Sequence, residues 1–353
     1  MKLQKLRNQI DSIDQTIIDL LNRRLETSQQ IAGVKIKEGK SIYSPDRERE
    51  VFKKIAGINK GPLKSKSLEA IYREIMSCSL SFANTLKVAY LGPEATFTHL
   101  AAIKRFGSQV EFIPCNNIND VFTEVERGNA AYGVVPIENS IEGVVNHTLD
   151  MFVDSELKIC AQIILEVTHN LLARCPKKSI KAVYSNPHVF GQCRIWLQEN
   201  LNTAEKIEVS STTRAAQIAL VRKNSACIAS LLAAKIYKLN VIAQSIEDSP
   251  HNATRFFVIG KNDVPPTGHD KTSILFSIKD RVGALHDMLV PFKKERINLT
   301  KIESRPSKKK AWDYYFFVDM QGHYEEPKVK RALAKLENTC KILKVLGSYP
   351  LGE

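Results

Sequence analysis

A chain of 353 residues is longer than one hydrophobic core usually organises, so two or three domains are expected. Its composition, 43% apolar and 25% charged, is that of a folded globular protein. No run approaches the ~20 apolar residues that span a bilayer, and the start at Met1-Lys2-Leu3 has no leader pattern, so neither membrane insertion nor secretion is expected.

The net charge of +13 would suit a nucleic-acid partner only if it were gathered on one face or carried a reading motif. The one tight run, Lys308-Lys309-Lys310, falls in a turn between two strand patterns, and the remaining lysines alternate with acids. No nucleic-acid partner is expected. The seven cysteines are irregularly spaced, with no pair at metal-ligand spacing, so they read as reduced thiols of a cytoplasmic protein, with no metal site.

Leu3, Leu6, Ile10, Ile13, Ile17 and Leu20 alternate spacings of three and four, and no proline interrupts them before Gly39. One helix of this length would span roughly 57 Å, more than a small domain can cover, so an intertwined homodimer is expected. Arg24 occupies the seam position where an apolar residue should stand, and Lys35 projects from nearly the same face. Two cations on one buried face call for a dianionic ligand. Ser44-Pro45 reads as a second helix start that places Arg47 and Glu48 in its first turn, and a third helix covers Ser67 to Ala83.

Residues 1–85 thus resemble the all-helical chorismate mutase family. The resemblance implies that Arg7 from a partner chain, Arg24 and Arg47 hold the two carboxylates of chorismate. Lys35 would donate to the ether oxygen and Glu48 would bind the ring hydroxyl. Ser79 belongs to the same site. Two positions depart from the family: Ala83 replaces a Gln or Glu donor, and Ser44 replaces an Asp found in some members.

From residue 87 to about 262 short β-branched runs alternate with helices, the texture of an α/β sheet. Val88 to Leu91 is a strand leading into Gly92-Pro93-Glu94-Ala95-Thr96-Phe97-Thr98, and Tyr132 to Ile137 is a strand followed by a polar turn of Glu138-Asn139-Ser140. A second unit begins near Val183, with a helix bearing Gln192 and a cap at Ser210 to Thr213. Two such units suggest a bilobal α/β domain closing on a small molecule, as in periplasmic binding proteins.

Tyr90-Leu91-Gly92-Pro93, Val135 to Ser140, Ser185 with Gln192-Cys193, and Thr254-Arg255-Phe256 resemble the prephenate dehydratase family, in the family's order. That resemblance implies loss of carbon dioxide and the ring hydroxyl from prephenate, without a cofactor. Thr254 would be the donor toward the leaving hydroxyl, inside a network of Asn139, Ser140, Ser185, Gln192 and Thr212 positioned by Glu138. Arg255, followed by Phe256, is open to two readings, a partner for a substrate carboxylate or a structural salt bridge.

Residues 272–353 read as strand, helix, strand, strand, helix, strand: Thr272 to Lys279, Gly283 to Glu295, Asn298 to Ser304, Trp312 to Met320, Pro327 to Glu337 and Ile342 to Tyr349. This βαββαβ order is ferredoxin-like. Gly283-Ala284-Leu285 and Glu303-Ser304-Arg305-Pro306 resemble the ACT regulatory domain. With Asn298 and Leu299 they would bind phenylalanine as a regulator at a subunit interface of the homodimer or a higher oligomer. Two other readings remain: a dehydratase with a vestigial helical domain, and a non-catalytic amino-acid-responsive binding protein.

Overall fold

The computed structural model describes residues 2–39, 42–83, 86–278, 281–307 and 314–351. The basic run 308–310 lies outside them. Contacts divide the chain into two compact units, one of residues 1–87 with 106–111, the other of residues 88–105 with 112–353.

The first unit is built from α1 (Lys2–Lys37), α2 (Pro45–Ile58) and α3 (Ser65–Ala83). The first helix ends where the sequence predicts, at a turn whose Gly39 has φ of +66°. Ser44 is the N-cap of α2, with Pro45 at its first position. The seam residues Leu3, Leu6, Ile10, Ile13, Ile17 and Leu20 are all exposed, between 47% and 63%.

The second unit starts with β1 (Lys87–Leu91), α4 (Phe97–Phe106), β2 (Glu111–Cys115), α5 (Ile118–Glu126), β3 (Tyr132–Asn139), β4 (Gly143–Val144), α6 (Asn146–Asp154) and β5 (Lys158–Glu166). It continues through β6 (Asn170–Ala173), β7 (Ala182–Ser185), α7 (Pro187–Gln192), α8 (Arg194–Asn200), β8 (Glu205–Glu208) and α9 (Thr212–Val221). Then come β9 (Ser225–Ala229), α10 (Leu231–Tyr237), β10 (Asn240–Ala243) and β11 (Ala253–Gly260).

Two lobes result. In the first, strands run in the order β2-β1-β3-β11-β5, with β4 on β3; in the second the order is β10-β6-β9-β7-β8. The chain leaves the first lobe after β5 and returns on β11, so β11 lies between β3 and β5 and ends the crossing. The lobes touch through Thr213, whose hydroxyl donates to the Glu94 carbonyl at 3.0 Å, and Ser230, which donates to the Ala95 carbonyl at 3.2 Å.

The structure corrects the sequence reading at one point that matters. Glu138 and Asn139 are not a turn but the last two residues of β3, paired with Arg255 and Thr254 of β11. Strand pairing satisfies their backbone groups, so the polar side chains did not mark a chain reversal.

The remaining elements are β12 (Asp270–Ile278), α11 (Ala284–Lys294), β13 (Leu299–Pro306), β14 (Tyr314–Gln321), α12 (Pro327–Glu337) and β15 (Cys340–Pro350). They form the expected βαββαβ unit, an antiparallel sheet in the order β13-β14-β12-β15. One face packs on α11 and α12 through Ile274, Phe276, Val318 and Met320. The other face joins the first lobe: Leu275, Phe317, Leu346 and Tyr349 share a core with Phe257, Ile159 and Phe152. Gly347 lies close against β5, where an added Cβ would be 2.4 Å from the Ile159 carbonyl oxygen. Among the described residues no helix is long and apolar enough to cross a membrane.

Candidate active sites and sensing face

In the helical unit a cavity of about 220 Å³ is lined by Arg24, Lys35, Ser44, Arg47, Glu48 and Ser79, six of the positions singled out from sequence. Arg24 Nη1 donates to Ser79 Oγ at 3.1 Å, and that hydroxyl donates in turn to the Ile75 carbonyl, which holds the guanidinium over the cavity. Lys35 Nζ donates to the Ile42 carbonyl at 3.0 Å. Glu48 is buried and accepts from the Tyr43 hydroxyl at 3.0 Å. Tyr43 also lines the cavity, and nothing in the spacing pointed to it.

Arg24, Lys35 and Arg47 border this cavity with the carboxylate of Glu48, Arg47 being also paired with the exposed Glu50 at 2.7 Å, and the cationic lining suits a small dianion. Arg7 is exposed on the same helix and does not line it. Arg7 and Arg24 are separated by about 25 Å of helix, so within one chain they cannot meet on one ligand. Ala83 closes α3.

In the second unit, β3 and β11 set Asn139 beside Thr254. The Asn139 side-chain oxygen accepts the backbone N–H groups of Ile141 and Glu142 at 2.9 and 3.0 Å, which fixes the orientation of the amide. Its nitrogen therefore faces the other way, donating to Thr254 Oγ1 and to Asn252 Oδ1, both at 2.8 Å. Asn252 donates to Gln192 Oε1 at 2.9 Å, and Gln192 donates to Glu142 at 3.2 Å. A carboxylate at the far end can only accept, so every amide in the chain has one orientation.

Gln192 Oε1 also meets His169 Nε2 at 2.7 Å. Because that oxygen accepts, the imidazole carries its proton on Nε2, and burial holds its pKa below the usual histidine value. Gln192, Asn252 and Glu142 border a cavity of about 540 Å³ on the second lobe's side.

The other expected residues have different roles in the geometry. Ser140 links strand ends, donating to the His251 carbonyl and accepting from the Ala253 amide. Ser185 is fully buried and donates to the Ile228 carbonyl at 3.0 Å. Thr212 opens α9, and its neighbour Thr213 is the residue that bridges the lobes. Phe256 is buried in the core.

Arg255 follows the salt-bridge reading. Its guanidinium meets Asp319 at 2.6 Å, Gln162 at 3.0 Å and the Tyr349 hydroxyl at 3.0 Å, and it stacks over Phe257. Glu138, its cross-strand partner, lies 2.7 Å from Lys301. Asp319, Tyr349 and Lys301 all belong to the third segment, and sequence reasoning missed them as neighbours.

The expected phenylalanine residues are split between two faces. Gly283, with φ of +77°, precedes α11, where Ala284 and the exposed Leu285 begin the helix. Asn298 accepts the Gln321 amide through its carbonyl, and Leu299 opens β13. Ser304 and Pro306 are exposed, whereas Glu303 and Arg305 alternate with them and share the face of Phe317 and Tyr315. Arg305 is committed to both carboxylate oxygens of Asp150, at 3.0 and 3.1 Å.

Three family models match the chain in order: chorismate mutase type II over residues 6–84, prephenate dehydratase over 88–264 and ACT domain over 272–338. The chain is 51% identical over 354 residues to the bifunctional chorismate mutase/prephenate dehydratase of Aquifex aeolicus (strain VF5), covering 99% of this chain and 98% of that protein. It is 45% identical over 356 residues to the protein of the same description from Pseudomonas aeruginosa, covering 99% and 98%. Among solved structures, prephenate dehydratase from Arthrobacter aurescens in complex with L-Phe is similar at a TM-score of 0.70. Its sequence identity is 34%, over 75% of this chain and 90% of that one.

Proposed function

The chain belongs to the family of bifunctional chorismate mutase/prephenate dehydratases, and on that premise we propose how its residues divide the two reactions. It rearranges chorismate to prephenate and converts prephenate to phenylpyruvate, steps of phenylalanine biosynthesis. We assign these steps to domains of residues 1–85 and 87–262, followed by a regulatory domain of residues 272–353.

In the helical domain Arg24, Arg47 and Arg7 of a second copy bind the two carboxylates of chorismate. Lys35 stabilises the charge that grows on the ether oxygen, and Glu48, held by Tyr43, binds the ring hydroxyl. A pericyclic rearrangement needs no covalent step, so fixing a compact conformer and stabilising that charge suffices. Roughly 8 kcal/mol of preferential transition-state binding corresponds to a ~10⁶-fold acceleration. The exposed seam of α1 supports a homodimer, since a second copy would both cover it and bring Arg7 to the cavity.

In the dehydratase, the single observation that carries the proposal is the direction of the bond between Asn139 and Thr254. Because Asn139 donates, the hydroxyl proton of Thr254 is free to point at the substrate. It donates to the ring hydroxyl as the C–O bond breaks, while the ring carboxylate leaves as carbon dioxide and its electron pair completes the aromatic ring. A lone threonine is a weak acid; the Asn139-Asn252-Gln192 chain polarises and orients it.

Phenylalanine acts as a feedback inhibitor, binding near Gly283 to Leu285, Asn298, Leu299 and Ser304. Arg305 instead ties the sensing sheet to Asp150. All seven cysteines are free, which supports a reducing, cytoplasmic setting.

The test is to supply chorismate to the purified chain and follow prephenate and phenylpyruvate separately. Both products should form, phenylalanine should suppress the second, and Thr254→Ala should accumulate prephenate with turnover to phenylpyruvate reduced ~10²-fold or more. Thr254→Ala with wild-type turnover would remove Thr254 from the mechanism, and a phenylalanine titration without binding or inhibition would remove the regulator.

A further inference from the structure

The dehydratase strands and the sensing sheet meet through four side chains of alternating charge. Glu138 of β3 and Arg255 of β11 are cross-strand partners, their charged groups 4.0 Å apart. Lys301 of β13 and Asp319 of β14 are cross-strand partners in the other sheet. The two pairs interlock: Lys301 Nζ lies 2.7 Å from Glu138 Oε2, and Arg255 Nη1 lies 2.6 Å from Asp319 Oδ2. Asp319 is held further by Ser273, and Arg255 by Tyr349.

The ammonium of Lys301 is buried and lacks a well-aligned hydrogen bond, so contact with a carboxylate is what compensates its burial. Separating it from Glu138 would leave an uncompensated charge, the costly way to disturb a buried ion pair. Lys271, on the neighbouring β12, has its pKa lowered by burial and by the Arg255 charge, as expected where cations crowd.

Glu138 is followed by Asn139 in β3, and Thr254 precedes Arg255 in β11, so the next cross-strand pair is Asn139 with Thr254. Successive side chains of a strand point to opposite faces. A grip on Glu138 and Arg255 from one face therefore sets the twist and height of the strand ends that present Asn139 and Thr254 on the other.

We propose that Lys301 is a positioning residue for the dehydratase, acting through Glu138 on the Asn139–Thr254 pair. The strand ends that carry the dehydratase site are thus braced from the opposite face by a side chain of the sensing sheet. Lys301 lies two residues after Leu299 and three before Ser304, so a ligand that shifts β13 also shifts Lys301. The inference rests on the dehydratase assignment above and deepens it by naming the route from sensor to chemistry.

The experiment uses the full-length protein and its Lys301→Met and Lys301→Arg variants. Turnover and KM for prephenate are measured with and without phenylalanine, and phenylalanine binding is measured by calorimetry. Lys301→Met should lose about tenfold in kcat with KM little changed, and should bind phenylalanine while responding to it at least about tenfold less. Lys301→Arg, which keeps the charge, should retain most of both properties. Glu138→Gln combined with Lys301→Met should be no worse than the more damaging single variant, because both remove one interaction.

Wild-type turnover and inhibition in Lys301→Met would overturn the inference while leaving the dehydratase assignment intact, as would single-variant losses that multiply in the double variant. A wild-type chain that does not convert prephenate would overturn the assignment itself, and this inference with it.

Discussion

Thr254 Oγ1 accepts a hydrogen bond from Asn139 Nδ2 at 2.8 Å, and the backbone amides of Ile141 and Glu142 prevent the Asn139 side chain from turning round. Asn139 thus occupies an acceptor position of the threonine, and in the proposed mechanism the hydroxyl proton serves the substrate. Asn139→Asp should reverse this polarity, since a carboxylate accepts from Thr254 and captures its proton. Dehydratase kcat should fall ~10²-fold or more while mutase activity stays as it was. Steady-state kinetics on prephenate and chorismate checks both, and unchanged kcat would show that the direction of this bond is unimportant.

Arg7 and Arg24 should belong to one mutase site only when two chains combine. Arg7→Ala and Arg24→Ala are each expected to be nearly inactive on chorismate. Mixed and allowed to exchange subunits, they should regain about a quarter of wild-type activity, because half of the dimers then carry one intact site of two. No recovery on exchange, with mixed dimers demonstrated by mass, would mean that Arg7 acts elsewhere.

Stability should decline on the acid side of neutrality because of two buried histidines. Burial lowers the pKa of both His99 and His169. His99 Nδ1 also accepts the Ala95 amide at 3.1 Å, which requires the neutral ring. Each ring binds a proton more readily in the unfolded chain, whose histidines titrate near ~6.5. Their contribution is complete above that pH and is lost as pH falls from it toward the lower folded-state pKa. Urea midpoints should drop between pH 7.5 and 5.5, and His99→Gln should lessen the drop. Equal pH dependence in the variant would exclude His99 as a source.

Gly347→Ala should be severely destabilising. The residue has φ of +153°, and its Cβ would meet the Ile159 carbonyl oxygen at 2.4 Å and the amide nitrogen at 2.7 Å. Those atoms belong to a paired strand and cannot move aside as a side chain would. A loss of about 3 kcal/mol or more is expected, read as a lowered Tm in calorimetry.

The helical unit was the more legible part of the sequence. A long period of three and four, an intruding Arg24 and a Ser44-Pro45 start are local signals, and six expected residues do line one cavity. The strand ends were harder to read. Glu138 and Asn139 looked like a turn because polar residues after an apolar strand usually are one, and only pairing with β11 keeps them extended.

Asn252 could have been noticed, since it lies two residues before Thr254 and so shares its side under strand alternation. His169 had no such signal, being joined to the site through the side chain of Gln192, and Glu142, though only three residues from Asn139, has its carboxylate role set by the same distant Gln192. Arg255 needed a partner that sequence could not name. Asp319 is 64 residues away and in a different predicted domain, and nothing local marks two charges as neighbours across a sheet interface.

The core shared by Phe257, Ile159, Leu346 and Tyr349 has a consequence for releasing the pathway from its end product. Deleting the C-terminal segment would strip an apolar sheet face from β5 and β11 and remove the closer counter-ion of each charge, Asp319 from Arg255 and Lys301 from Glu138. A truncated chain should aggregate instead of becoming a constitutively active dehydratase. Strains selected for phenylalanine overproduction would therefore carry single substitutions on β13 or at the start of α11, and premature stop codons after residue 264 should be absent among them.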